Sequence, residues 1–238
     1  MYFQIFTLSR ILQVYVLQLG MGLFYLIIAY FVLKRSRKRL NQIFSSYFII
    51  TFIGILVNVI YAPITDIPTV TMLAYLTVYL IYFAQIFLLV FNLILLKSTK
   101  IINTKIQLII IIGYAVLLSF AFLIPNGLTI SESNNYIPYW NLPYFLFHLI
   151  ISLSFAVIPS IYTSIKVYTK IEDIEVKTRW KYYFFGITTY FIAYLGISVC
   201  NYINNPTIRL IWNSFALIMF VCAYFMYYGV LRQLKQEE

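Results

Sequence analysis

The fold is indicated by one stretch of the chain, residues 22–39, which reads GLFYLIIAYFVLKRSRKR. Its first twelve residues carry no charge, whereas five of its last six are Lys or Arg. Counted back to Ile11, the uncharged part is long enough to cross a hydrocarbon core of about 30 Å as a helix. Because the basic cluster follows the apolar run, we expect a first helix that stays in the membrane and not a cleaved leader.

Six further apolar runs of similar length follow. The chain is 63% hydrophobic and only 10% charged, whereas soluble domains have about 25% charged residues. We therefore predict an all-α polytopic membrane protein, a single seven-transmembrane-helix bundle over residues 1–238. The predicted helices 1 to 7 cover residues 11–33, 43–61, 70–96, 106–124, 144–168, 182–202 and 208–231.

The basic residues lie almost entirely in every second connection between these helices. Fifteen of the 17 Lys and Arg residues follow helices 1, 3, 5 and 7, and only Arg10 and Arg209 lie on the opposite side. The positive-inside rule then predicts the N-terminus outside and the C-terminus in the cytoplasm. The net charge of +10 is interpreted as a topology signal beside membrane lipid and not as nucleic-acid binding. We predict a multi-pass protein of the plasma membrane.

Several kinds of chemistry have no support in this sequence. None of the seven carboxylates falls inside a predicted helix core, which disfavours ion-coupled transport by a buried carboxylate. The single histidine has no Cys, His or carboxylate at metal-ligand spacing, and the two cysteines are too few for a disulfide framework. No Gly-x-Ser-x-Gly motif and no Asp-Arg-Tyr motif after helix 3 is present. We expect no enzyme activity, no cofactor and no metal.

Polar side chains recur in the outer third of the predicted helices. Convergent polar groups among aromatic walls are what a small-ligand pocket between helices requires. The alternative is structural, because Asn commonly bridges helices and Arg at a helix end extends to the interface. The predicted ligand-binding residues are Asn58, His148, Asn201, Arg209 and Asn213.

Three further expectations concern the packing and shape of the helices. Gln85 and Asn92 lie seven residues apart on one face of helix 3, and we expect these amides to join helices. Pro159 falls inside helix 5, where a local kink is expected. The apolar residues of the inner link 166–181 recur at helical spacing, so helix 5 is expected to project into the cytoplasm there.

Three features together resemble the seven-helix membrane sensor modules found at the N-termini of many histidine kinases. They are the basic stop at 34–39 after an N-out helix, the charged inner link 166–181 before a glycine-bearing helix 6, and the exit Tyr228-Gly-Val-Leu-Arg-Gln-Leu-Lys235. The resemblance implies that the bundle senses an extracellular or lipid-borne cue and moves helices 5 to 7. Since the chain ends shortly after helix 7, the resemblance also implies a separate cytoplasmic signalling partner.

Three functions remain open from the sequence. The first is a non-enzymatic receptor or sensor with an outward-facing small-ligand pocket. The second is a small transporter of a neutral solute, built as three helices, one linking helix and three helices. The third is an accessory membrane subunit without a ligand of its own.

Overall fold

The computed structural model of the chain describes residues 8–215 and 217–230. The side chains of a few residues within these ranges are outside the description, namely Leu8, Ser9, Asn134, Pro206, Leu210 and Asn213. A first helical turn, Leu8–Ile11, leads directly into the first long helix. The main helices are α1 (Leu12–Arg35), α2 (Arg39–Tyr61), α3 (Ile67–Ile101), α4 (Thr104–Leu123), α5 (Leu142–Lys170), α6 (Ile174–Ile203), α7 (Pro206–Phe215) and α8 (Ile218–Val230).

The first six of these helices, α1 to α6, are each long and apolar enough to cross a membrane. The expectation of an all-α, multi-pass integral membrane protein is confirmed at this level. The single seventh helix predicted for residues 208–231 is divided instead into α7 and α8, with Leu217 in a turn between them. Neither piece, at 10 and 13 residues, reaches the length of about 20 residues that a straight crossing requires.

The connections define two ends of the bundle. Those at 36–38, 102–103 and 171–173 lie among the basic residues, and we call this the basic end. Those at 62–66, 124–141 and 204–205 form the opposite end, which we call the far end. The longest of them contains a short antiparallel hairpin of β1 (Leu128–Thr129) and β2 (Tyr139–Trp140), with Leu128 opposite Trp140.

Polar caps explain where several helices begin. The side chain of Asp66 accepts from Thr69 N at 3.0 Å at the start of α3, and Asn103 accepts from Ile106 N at 3.1 Å at the start of α4. Such side chains satisfy amide groups that have no partner within the helix.

The predicted inner link 166–181 is mostly helical, but not as an extension of α5. That helix ends at Lys170, and α6 begins at Ile174, so only three residues connect them. Asp173 accepts from Glu175 N at 2.8 Å and from Val176 N at 3.1 Å, which starts α6 early. The charged segment therefore belongs to α6, and the expectation that helix 5 projects there is wrong.

The long helix α3 organises the packing. It contacts α2, α4 and α5, while α6 packs against α5, α7 and α8, and α8 returns to α1. Small residues allow the closest approach between α6 and α8, because Gly186 faces the main chain at Cys222 O and Gly229 faces the main chain of Tyr183. A Cβ atom at either glycine would have to displace backbone atoms.

Helix α5 contains a wide turn with π-type hydrogen bonds at Leu153–Val157, which ends two residues before Pro159. The kink expected at this proline stays a prediction, and the wide turn is the feature that the structure shows beside it. It also sets the register against α3, because Ser152 Oγ donates to Gln85 Oε1 at 2.7 Å and Asn92 Nδ2 donates to Ser160 O at 2.9 Å. The contacts are seven residues apart on α3 and eight on α5, so the extra residue lies in the wide turn.

Candidate functional site

A cavity of about 350 Å³ lies among α1, α2, α3, α6 and α7 in the half of the bundle nearer the far end. Sites for small molecules are typically about 300–1,000 Å³, so this cavity is large enough for one. Its polar residues are Arg10, Gln13, Gln18, Asn58, Thr77, Asn135, Ser198, Asn201 and Arg209. Its aromatic side chains are Tyr61, Tyr82, Trp140, Tyr194, Trp212 and Phe220.

Three of the predicted site residues line this cavity together. Asn58 comes from α2, Asn201 from α6 and Arg209 from α7. The Asn58 amide also donates to Gln18 Oε1 of α1, so it bridges two helices while it lines the cavity. The side chain of Asn213 lies outside the described part of the chain.

The structure places His148 one layer behind the cavity and not in its lining. Its ring is buried, and Nδ1 lies 3.0 Å from Tyr144 O. It packs at 4.7 Å from the ring of Tyr82 and 5.5 Å from the ring of Trp140, measured between centroids. Since Tyr82 and Trp140 themselves line the cavity, the histidine supports the wall from the α5 side.

Arg10 is a lining residue that the sequence interpretation had counted only as an outer charge. Its side chain is buried, and the guanidinium donates to Ala62 O at 2.8 Å and to Asn135 O. These bonds join the start of α1 to the end of α2 and to the connection 124–141. Burial lowers the pKa of Arg10 below its usual range, because desolvation disfavours the charged form. Arginines are rarely buried, and no local pattern in the sequence marks Arg10 as an exception.

The second arginine, Arg209, reaches the same region from α7. It donates to Asn204 Oδ1 at 3.2 Å. Both guanidinium groups interact electrostatically with the hydroxyl of Tyr61, at the end of α2. Two cations therefore converge at the mouth of the cavity.

The connection 124–141 forms the roof of the cavity. Asn135, Ile137, Pro138 and Trp140 all contribute to the lining. Asn141 holds the base of the connection closed, because its Nδ2 donates to Asn126 O at 3.0 Å and to Pro125 O at 3.1 Å. The position of this connection over the cavity could not be predicted from its own sequence, because it depends on contacts with distant parts of the chain such as Arg10.

A glycine sets the position of the wall formed by α7. The ring of Trp212 packs directly over Gly196 of α6, where a Cβ atom would collide with it. The Trp212 indole donates from Nε1 to Ala193 O at 3.0 Å. This contact fixes α7 against α6 and places Arg209, one turn earlier on α7, at the cavity.

The charges of the cavity are one-sided in the described part of the chain. Its lining holds two arginines and, among the described residues, no Asp or Glu. Within 8–215 and 217–230, no group of three or more His, Cys, Asp or Glu is placed to hold a metal ion. Comparison with protein-family models, with curated proteins and with solved structures found no match to this chain.

Proposed function

We propose that this protein is a membrane receptor or sensor that binds a small molecule in the far-end cavity and reports its occupancy at the basic end. The observation that carries the proposal is the cavity of about 350 Å³, in which polar side chains from several helices meet between aromatic walls. The protein has seven crossings, of which α7 and α8 together form the last. Its basic end faces the cytoplasm of a cell whose plasma membrane it spans.

The distribution of charge supports this orientation. The connections at the basic end are flanked by clusters such as Lys34 to Arg39 and Lys166 to Lys170, whereas Arg10 and Arg209 are the far-end cations of the chain. Positive residues in short loops remain on the cytoplasmic side during insertion. The cavity then lies in the outer half of the bundle, where a sensor would meet an extracellular ligand.

Helix α6 is the element best placed to transmit binding. It contributes Tyr194, Ser198 and Asn201 to the cavity and continues without interruption to Ile174 at the basic end. A helix of 30 residues is roughly 45 Å long at about 1.5 Å per residue. A ligand that favours one tilt of α6 would shift the charged segment 174–181, which a separate cytoplasmic partner could read.

The orientation is tested by labelling single cysteines with a membrane-impermeant maleimide in a Cys200→Ala, Cys222→Ala background. Ser133→Cys at the far end should react in intact cells, whereas Glu172→Cys at the basic end should react only after permeabilisation. Both positions are exposed, so accessibility alone does not separate them. The reverse pattern overturns the proposed direction of sensing.

Signal transmission is tested without knowledge of the natural ligand by filling the cavity covalently. In the same background, the thiol of Asn58→Cys is modified with benzyl methanethiosulfonate. The variant also carries the substitutions Trp140→Phe and Trp212→Phe, so that Trp180 is its only tryptophan. Trp180 is fully buried near the start of α6, so its emission reports on the basic end. We expect a shift in emission after modification of Asn58→Cys and none after modification of Met72→Cys, which is exposed on α3. Unchanged emission with a filled cavity overturns the sensor proposal.

A second candidate function is transport of a small solute. The observation that favours it is the division of the last apolar run into α7 and α8 beside the cavity, since transporters often bind their substrates where membrane helices are interrupted. Flux of a bound solute into proteoliposomes would support transport, whereas saturable binding without flux supports the sensor.

A further inference from the structure

A second concave surface, a groove at the basic end, lies between the end of α1 and the start of α2. Its lining residues are Tyr30, Leu33, Lys34, Ser36, Arg37 and Gln42. Two of the six are cations and none is Asp or Glu. The groove therefore combines an apolar wall, formed by Tyr30 and Leu33, with positive charge.

The connection between α1 and α2 is held in place by side chains from the first turn of α2. The buried Asn41 donates from Nδ2 to Ser36 O at 3.0 Å. Gln42 Nε2 donates to Arg37 O at 2.9 Å. The main chain beside the groove is thus fixed, so a ligand that binds there does not have to order it.

The groove continues the face of α1 that meets lipid. Leu23, Ile27 and Tyr30 are exposed, and together with the exposed Lys34 they recur at intervals of three and four residues, so they lie on one face of the helix. In a membrane-spanning helix such an apolar face contacts acyl chains. At its end, Lys34 Nζ lies 5.7 Å from the centroid of the Tyr30 ring, which is a cation–π distance. Tyrosines of this kind lie at the level of the lipid headgroups.

The described negative charge of the basic end lies elsewhere. Glu172, Asp173 and Glu175 belong to the connection between α5 and α6 or to the first turn of α6, where Glu175 pairs with Arg179 at 3.0 Å. In contrast, residues 12–61 contain neither Asp nor Glu. Helices α1 and α2 therefore present cations to an anion without a competing carboxylate of their own.

We propose that this groove binds the headgroup of an anionic phospholipid. The phosphate lies between Lys34 and Arg37, and an acyl chain follows Tyr30 and Ile27 along α1. The planar guanidinium of Arg37 matches a phosphate through two parallel hydrogen bonds, while the ammonium of Lys34 acts as a point charge. A soluble phosphate would leave the apolar wall uncovered, so a lipid is the better fit. The inference goes beyond the sensor proposal and does not depend on it, because it requires only that the basic end lies at a membrane surface.

The test is a lipid titration of the full chain in dodecyl maltoside micelles. Phosphatidylglycerol and phosphatidylcholine with identical acyl chains are compared, and native mass spectrometry counts the lipids retained on the chain. We expect the first phosphatidylglycerol to bind about 25-fold more tightly, because each of the two cations contributes about fivefold near an anionic headgroup. Equal affinity for the two lipids would overturn the inference. Glycerol phosphate at the same concentration should not displace the lipid, and displacement would overturn the assignment to a lipid.

A double substitution locates the site. Lys34→Gln with Arg37→Gln removes both cations and should make the affinities for the two lipids equal. The matched control is Lys166→Gln with Lys170→Gln, because Lys166 Nζ lies 5.5 Å from the centroid of the Tyr162 ring and so repeats the arrangement of Lys34 on another helix. The control should keep the preference for phosphatidylglycerol. An equal loss in both double variants would show that only net charge matters and would overturn the site.

A charge-retaining pair separates binding from folding. Lys34→Arg with Arg37→Lys keeps two cations in the groove, so the preference for phosphatidylglycerol should persist. Circular dichroism of each variant should show an unchanged helix content, since Lys34 and Arg37 are both exposed. A preference that survives in the Gln double variant, or one that is lost in the charge-retaining pair, would overturn the inference. The covalent filling experiment decides the sensor proposal independently of these results.

Discussion

The two halves of this bundle use the same types of polar side chain for different purposes. Near the basic end, Asn92 donates to Ser160 O at 2.9 Å and accepts from the Tyr183 hydroxyl at 2.7 Å, while the Trp180 indole donates to Ser164 O at 3.0 Å. These contacts join α3, α5 and α6 in a closely packed core. Near the far end, Asn58 and Asn201 border a cavity. Packing, and not residue type, decides whether an amide lies in a closed core or beside a cavity.

The two halves of the bundle also differ in how closely they are packed. The basic half is closely packed, because the buried amide of Asn92 and the indole of Trp180 have hydrogen-bond partners and aromatic rings fill the space. The Phe44 ring lies 4.7 Å from that of Phe91 and 5.2 Å from that of Phe48. The far half contains the cavity, and Arg10 and Arg209 line it. Substitutions in the basic half should therefore affect mainly stability, and substitutions in the far half mainly binding.

The largest expected effect is the loss of the buried indole at the basic end. Trp180 is fully buried and its ring lies 4.4 Å from that of Tyr183, so Trp180→Ala should destabilise the fold by about 3–5 kcal/mol. The matched control is Ile174→Ala on the same helix, where the side chain is 82% exposed and little change is expected. Unfolding in mixed micelles, followed by circular dichroism, measures both. Equal losses would contradict a tightly packed basic half.

The next largest effect is expected where α6 meets α7. Gly196→Ala would place a Cβ atom inside the ring of Trp212, so α7 must shift at a cost of about 1–3 kcal/mol. Gly113→Ala is the control, because a Cβ atom there meets no neighbour and the change should stabilise α4 by about 0.5–1 kcal/mol. The same unfolding measurement applies, together with quenching of Trp212 fluorescence. A neutral Gly196→Ala would show that Trp212 does not fix the cavity wall.

A smaller effect should separate the two kinds of asparagine directly. Asn92→Ala removes two interhelical hydrogen bonds in a dry core and should cost about 1 kcal/mol. Asn58→Ala should change stability by less than about 0.5 kcal/mol, because water in the cavity can replace its bond to Gln18. If Asn58→Ala proves as costly as Asn92→Ala, the far half is packed for stability and the contrast fails.

The smallest expected effect is on the stability of the fold at acid pH. Hydrogen bonds from Thr69 hold the pKa of Asp66 below its ordinary value of 3.8. A carboxyl with a lowered pKa stabilises the folded state above its ordinary pKa, and this contribution is lost as the pH falls through the lowered value. Asp66→Asn keeps the cap without a titrating group, so it should flatten the loss of stability below pH 3.8. If Asp66→Asn loses stability below pH 3.8 as steeply as the unchanged protein, the charge of this cap does not contribute to stability.

Much of the fold could be predicted from the sequence because each crossing must be apolar and long. The start of α6 was placed too late, since Asp173 and the helical spacing after it were read as part of an extended helix 5. The division of the last helix left no sequence signal, because residues 211–220 contain neither Gly nor Pro. The amides of Gln85 and Asn92 were correctly expected to join helices, since both point to α5 from one face of α3.

The cavity was predictable only in part. Depth along a helix can be counted, and this placed Asn58, Asn201 and Arg209 at one level. Rotation about the helix axis and the order of helices in the bundle cannot be counted, so His148 was expected in a lining that Tyr82 and Trp140 occupy instead. Arg10 was missed because its contact with Asn135 spans 125 residues of chain. Such long-range contacts depend on the folded loop and not on any local pattern.

The wide turn in α5 has a consequence for the evolution of this helix. Because it contains one residue more than an α-helical turn, it is equivalent to a one-residue insertion that the fold has absorbed. A variant that lost one residue within Leu153–Val157 could close into a regular helix, in which the two contacts on α5 would be seven residues apart, as Gln85 and Asn92 are on α3. A one-residue deletion in this segment should therefore keep the register of α5 against α3, whereas a deletion after Ser160 would rotate all later positions by about 100°.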